Sequence, residues 1–458
     1  MGQDMTKGNP TKLILFFTLP MLLGNIFQQF YSMADTFIVS RTIGVDAFAA
    51  VGSTGSISSL IIGLATGLTV GLSVITAQRF GRQDIKAIRK NLAASVIISA
   101  VISIVLTIAA TLFTRQILEF MKTPAALIDD AQAYLVIIFA GIGATVLFNL
   151  LSNILRAIGD SRSPLLFLAI ASVLNVALDY VFILGLGTGV EGAGYATIIS
   201  QIIASLLCLV YIWKKVPILR IRKEDWKVDK KEIMEHLNLG LPMGFQVSII
   251  SIGAIAIQIT LNSLGATAVA ATTAAEKING IATMPLVSFG VTMATYTAQN
   301  YGAGKFDRIW EGVSKVLKIV LSYSVVMAIV LVTVGRPIAE MYIGETDPAI
   351  IDLVQTYFFT NATFYFLLAM LFIYRYTLQG LGKSTAPTAA GVMELLARVL
   401  VALLLVKPLG YVGVTIANPI AWLGALVPLI YSYYSFKRKT TVGERKQLTK
   451  KLLTSQNQ

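Results

Sequence analysis

Residues 155–164 read Leu-Arg-Ala-Ile-Gly-Asp-Ser-Arg-Ser-Pro, and residues 378–387 read Leu-Gln-Gly-Leu-Gly-Lys-Ser-Thr-Ala-Pro. The correspondence extends along the chain. Leu19-Pro20-Met21 returns as Leu241-Pro242-Met243. Thr76-Ala77-Gln78-Arg79-Phe80-Gly81 returns as Thr297-Ala298-Gln299-Asn300-Tyr301-Gly302. Gly189, Gly192 and Ala196 return as Gly410, Gly413 and Ala417. Four matches in one order, at an offset that stays between 221 and 223, mark an internal duplication.

Between the repeated stretches lie apolar runs about 20 residues long, the length an α-helix needs to cross a bilayer. Hydrophobic residues make up 55% of the chain and charged ones only 13%, with a mean hydropathy of +0.74. A water-soluble fold has too little interior for so much apolar surface. The runs fall at 13–39, 48–76, 91–113, 131–154, 165–185, 193–213, 240–262, 269–297, 316–335, 353–376, 387–406 and 413–436. The expected fold is an all-α integral membrane protein of about twelve transmembrane helices in two six-helix lobes. An even number of spans per half makes the halves parallel repeats, related by an axis along the membrane normal. The expected division is an N-lobe at 1–213, a linker at 214–236, a C-lobe at 237–440 and a basic tail at 441–458.

The net charge of +13 follows topology. Of the Lys and Arg residues, only Arg41, Arg115, Lys122, Arg336 and Lys407 fall in outer loops, and Lys277 and Arg398 fall in the body of a span. The rest gather at the inner segments and the span ends that abut them. This bias puts both termini in the cytoplasm and removes the need for a nucleic-acid partner. The first apolar run lacks a cleavage signal and is expected to stay in the chain. Met1-Gly2 with Thr6 fits a myristoylation pattern, but a weak anchor adds nothing to a many-span protein. One Cys (Cys208) and one His (His236) cannot build a disulfide framework or a Cys/His metal site. Cys208 reads as apolar filler and His236 as a solvated linker residue. Gly63, Gly67 and Gly71 form a small stripe on the second span, expected to pack within the lobe.

Ionisable groups inside a span are costly and mark function. In the first span Gln28, Tyr31, Ser32 and Asp35 share one helical stripe. In the fifth, Asn175 and Asp179 share a face, and Asn153 and Thr197 complete an expected polar pocket. These hard oxygen ligands suit Na⁺, with a possible site at Asp35, Asn175 and Asp179, and equally suit a proton. Gln28, Tyr31, Ser32, Glu276 and Met284 are the expected substrate contacts. Glu394 and Arg398, at i, i+4, read as a structural or gating ion pair. The aromatic residues of the tenth span, Tyr357 to Phe366, read chiefly as packing.

On these residues the chain resembles the multidrug and toxic compound extrusion (MATE) family, and its DinF-like branch in particular. The points of resemblance are Pro20 and Pro242, Ala34-Asp35-Thr36, the two Ala-Gln-x-aromatic-Gly stretches, LRAIGD, and Asn175 with Asp179. The resemblance implies efflux of cationic or amphipathic small molecules, driven by H⁺ or Na⁺ entry. The chain is expected to work as a monomer in the bacterial inner membrane, with no cofactor beyond the coupling ion. The resemblance also implies cation coupling in the N-lobe at Asp35, Asn153, Asn175, Asp179 and Thr197. A second branch uses carboxylates in the seventh and tenth helices, which this sequence lacks. A lipid or lipid-linked oligosaccharide flippase is the alternative; the balance of acidic over basic residues within the spans favours cationic substrates. No nucleophile elbow, phosphate loop or metal cluster points to an enzyme.

Overall fold

Asn9 and Pro10 set the start of the first long helix. The Asn9 side chain accepts from the N–H groups of Thr11 and Lys12, and Pro10 occupies the first turn, where no N–H is needed. Helix α1 then runs Pro10–Thr42. The computed structural model describes the backbone of residues 3–43, 50–52, 54–121, 123, 127–343 and 348–455. It describes the side chains of these residues except 31–37, 40–41, 56, 342–343 and 442–455.

The helices that follow are α2 (Gly55–Gly81), α3 (Ile85–Phe120), α4 (Ile128–Ala140), α5 (Ile142–Ala157), α6 (Arg162–Asp179) and α7 (Val190–Lys215). The second half supplies α8 (Lys230–Asn262), α9 (Ala266–Gly302), α10 (Phe306–Ile343), α11 (Pro348–Ala362), α12 (Tyr365–Gly380) and α13 (Thr385–Leu404). Two short turns, α14 (Val406–Leu409) and α15 (Tyr411–Thr415), precede α16 (Ala417–Ser455). Among the described residues ten helices are long and apolar enough to span a membrane. Two bent pairs, α4–α5 at 47° and α11–α12 at 49°, bring the number to twelve. The bends fall at Gly141 and Phe364, equivalent positions of the repeat.

The duplicated turns are explained by backbone geometry. Gly159 and its repeat Gly382 sit at φ +88° and +74°, and Gly189 and Gly410 at +61° and +54°. A side chain at these angles is strained, so both copies use glycine to end or begin a helix.

Helix α3 shows how the sequence sorts lipid from protein. Val101, Ile104, Val105, Ile108 and Leu112 are exposed on one face, while Asn91, Ser95, Ser99 and Ser103 are buried on the other. Small polar residues let helices approach inside the bundle, and large apolar ones meet lipid.

The two lobes exchange their first helices at the end of the bundle that carries the N-terminal segment and the 216–229 connection. Met5, Ile14, Phe17 and Met21 belong to the C-lobe core, with Tyr296, Trp310 and Val313. In return, Ile233, Leu237 and Leu241 of α8 pack on the N-lobe core around Leu72, Ile88 and Leu155.

Three expectations change here. The glycine stripe of α2 faces the other lobe rather than its own. A Cβ on Gly67 would lie 2.6 Å from the Met243 carbonyl oxygen, and one on Gly71 would lie 2.6 Å from Gly240 Cα. Periodicity identified the face, but which neighbour it meets is a tertiary matter. The connection between lobes is shorter than 214–236, because Asp229 caps α8 by accepting from the Glu232 N–H and the helix begins at Lys230. The backbone of α16 continues into the basic tail as far as Ser455, so 441 is not a structural boundary.

Candidate functional site

Asn175 and Asp179 lie in the last turns of α6, 1% and 0% exposed. A six-residue π-helical segment, Tyr180–Gly185, follows Asp179 directly. Such local widening of a helix is common at functional sites. Asn175 Nδ2 donates to Thr197 Oγ1 of α7 at 3.3 Å. That bond turns Asn175 Oδ1 away from Thr197, and Oδ1 accepts no hydrogen bond among the described residues. A buried amide oxygen without a donor, one helical turn from a buried carboxylate and beside a hydroxyl, is a donor set that fits Na⁺ or a proton. The side chains of Asp35, Tyr31 and Ser32 lie outside the described residues, although their backbone belongs to α1.

Asn153 does not join this pair. Its Nδ2 donates to Thr69 Oγ1 at 3.1 Å, and its Oδ1 accepts from Arg156 at 3.1 Å. An oxygen already facing a guanidinium is a poor ligand for a second cation. Asn153 and Arg156 instead line a cavity of about 20 Å³ between the lobes, closed by Val70, Ser73, Val74 and Ala77 of α2 and by Val291, Ala294 and Thr295 of α9. That is room for about one water.

Of the expected substrate contacts, Gln28 and Glu276 are exposed and Met284 is half-buried. Near Met284 the lobes meet through a polar seam. Asn25 donates to Ser288 Oγ at 3.0 Å, and Thr18 donates to Thr292 Oγ1 at 2.9 Å.

The expected Glu394–Arg398 pair is present, but a third, unforeseen residue joins it. Arg398 stands 3.6 Å from Glu394 Oε2, and the closer partner is Arg375 of α12, hydrogen-bonded to Glu394 Oε1. Arg375 reads in sequence as one more inner positive charge at the end of the tenth span, yet it is only 5% exposed. The balance of acidic over basic residues within the spans therefore weakens. One turn along α12 from Arg375, Gln379 donates to Gln246 of α8 at 3.1 Å. Nothing in the local pattern signals either pairing.

His236 is the largest departure. It is fully buried rather than solvated. Nδ1 lies 2.7 Å from the Glu232 carbonyl oxygen and Nε2 lies 2.6 Å from Asn91 Nδ2. Arg79 holds Glu232 at 2.5 Å and Glu235 at 3.2 Å in the same corner. A charge-rich stretch masked a helix face that packs inward.

Comparison with known proteins agrees with this architecture. The MatE family profile matches twice, over residues 20–181 and 242–404, once in each lobe. The probable multidrug resistance protein YpnP of Bacillus subtilis (strain 168) is 31% identical over 75% of this chain and 77% of its own. YoeA of the same strain, also a probable multidrug resistance protein, is 28% identical over 98% and 97%. A crystal structure of MATE in complex with MaL6 superposes with a TM-score of 0.86 at 25% identity, covering 95% of this chain and 99% of the other. With ten to twelve candidate spans among the described residues, a duplicated half and a family match to each copy, this chain belongs to the MatE family of membrane transporters and is not an enzyme.

Proposed function

We propose that this transporter exports amphipathic or cationic compounds from the cytoplasm, driven by inward movement of H⁺ or Na⁺. The observation that carries the reading is the buried Asn175–Asp179 pair with its unmet amide oxygen. The multidrug resistance names of YpnP and YoeA support the export of drug-like compounds. The positive-inside bias supports a cytoplasmic location for both termini. In this reading the lobes are closed towards the cytoplasm by the interlocked helix ends, and a cation arriving from outside reaches Asp179, Asn175 and Thr197. Binding there rearranges α6 and α7 around the π-helical turn and lowers the hold of the N-lobe on its substrate. The cation shifts the equilibrium only by its differential affinity for the two states. Asp35 shares the work from α1.

Proteoliposome efflux under separately imposed Na⁺ and pH gradients tests this. One of the two gradients should drive efflux of a cationic dye, and Asp35→Asn and Asp179→Asn should each abolish that dependence. Efflux by both variants with undiminished ion dependence would remove the coupling role.

A further inference from the structure

At the position where the N-lobe carries Asn175, the repeat places Arg398, and the C-lobe sets a second guanidinium, Arg375, and one carboxylate, Glu394, beside it. Arg375, Glu394 and Arg398 are 5%, 3% and 7% exposed. Two guanidiniums thus share one carboxylate deep within α8, α12 and α13. Glu276, exposed on α9, lies within electrostatic reach of Arg398 and partly offsets the excess charge.

Hydrogen bonding is less balanced than charge. Two arginines offer roughly ten N–H donors. Among the described residues their acceptors are Glu394 Oε1 for Arg375 and the Ile250 carbonyl, at 3.4 Å, for Arg398. Arg375 Nε is buried and meets no acceptor there. A buried donor left unmet costs about 1–3 kcal/mol, more when it is charged. The neighbouring amides do not relieve this: Gln379 Nε2 bonds to Gln246 Oε1, and Gln379 Oε1, buried and itself unmet among the described residues, takes no hydrogen bond from either arginine.

We propose that the C-lobe binds an anion between Arg375 and Arg398, either a small inorganic anion or the acidic group of a transported amphiphile. Planar guanidiniums recognise such groups well. The two lobes then hold pseudo-symmetric sites of opposite polarity, the N-lobe for the coupling cation and the C-lobe for an anion. Glu394 is the internal competitor, occupying the same donors when the anion leaves. The substrate alternative rests on the export reading; the anion site itself does not.

The test uses the purified full-length protein, with its melting temperature followed as gluconate is replaced by chloride at fixed Na⁺ and ionic strength. Chloride should raise Tm saturably. Arg375→Gln should lose the rise. Glu394→Gln removes the competitor and should lower the midpoint chloride concentration about tenfold, the size of one charged hydrogen bond. General damage to the fold does not tighten binding, so this second variant keeps the test decisive. Benzoate in place of chloride separates the sources. Tighter binding than chloride assigns the site to a substrate acid, and binding of chloride alone assigns it to a resident counter-ion. A flat response to both anions, or an equal response in Arg375→Gln, overturns the proposal. Failure of ion-driven dye efflux with anion binding intact would remove the export reading and leave the site standing.

Discussion

Asn91 and His236 meet across the two halves of the molecule, with 2.6 Å between Nδ2 and Nε2. The direction of the bond follows from its neighbours. His236 Nδ1 faces the Glu232 carbonyl and so carries the proton. Nε2 then accepts from Asn91, whose Oδ1 accepts from the Thr76 hydroxyl. The chain joins α2, α3 and α8 through a neutral imidazole. Asn91→Leu strands Nε2 and the Thr76 hydroxyl in a buried corner, and should destabilise the protein by about 1–3 kcal/mol. Thermal unfolding in detergent measures this; an unchanged Tm would show that the network carries no stability.

The glycine seam between α2 and α8 offers a sharper contrast. A Cβ at Gly67 would lie 2.6 Å from the Met243 carbonyl oxygen and 2.9 Å from Gly244 Cα, both backbone atoms that cannot step aside. At Gly143 nothing stands within 4 Å. Gly67→Ala should therefore cost about 1–3 kcal/mol through forced separation of the helices. Gly143→Ala, on a helix, should be neutral or slightly stabilising. Paired melting curves decide the matter, and equal shifts would contradict close approach at the seam.

These two sites also show what was legible in the chain before folding. The membrane architecture was, because apolar run length and the charge bias are local consequences of the bilayer. The repeat was, because its glycines serve backbone angles that no other residue adopts easily, as at Gly159 and Gly382. The face of α2 was legible, but its partner was not, since periodicity carries no information about the opposing helix. The same gap hid Arg375 from Glu394, and placed Asn153 with Asn175 when its bonds run to Thr69 and Arg156. His236 was obscured by composition, because charged neighbours on one helix face say nothing about the buried face.

The N-terminal segment makes a pH-dependent contribution. Burial alone raises the Asp4 carboxyl. The Thr6 hydroxyl and N–H, with Lys7 and Lys305, outweigh it and hold the group below its usual value of 3.8. A depressed carboxyl stabilises the fold above its unfolded value and loses that contribution as pH falls through the folded one. The segment around Met5 should therefore loosen only below about pH 4. Asp4→Asn should remove this acid step and leave the segment at neutral pH close to the loosened level that wild type reaches only in acid. Hydrogen exchange at the Met5 and Thr6 amides across that range reads the effect; identical profiles for wild type and variant would dismiss it.

The two repeat glutamines lock the same end of the bundle with unequal reach. Gln78 donates to the Gly380 carbonyl at 2.9 Å, and Gln299 donates to the Ala157 carbonyl at 2.8 Å, so each lobe holds the end of the other's bent helix pair. Only Gln299 also accepts the Met5 N–H, at 2.9 Å. Cross-helix hydrogen bonds in membrane proteins contribute about 0.6 kcal/mol on average. Gln78→Leu should thus loosen the closure modestly. Gln299→Leu should loosen it more, because it also releases the N-terminal segment from the joint between lobes. Spin labels at the exposed positions Lys86 and Asp307, one on each lobe, report the separation by pulsed dipolar spectroscopy. The fraction of long distances should rise in the order wild type, Gln78→Leu, Gln299→Leu. Identical distributions in the two variants would mean that the N-terminal segment rides on the closed joint without holding it.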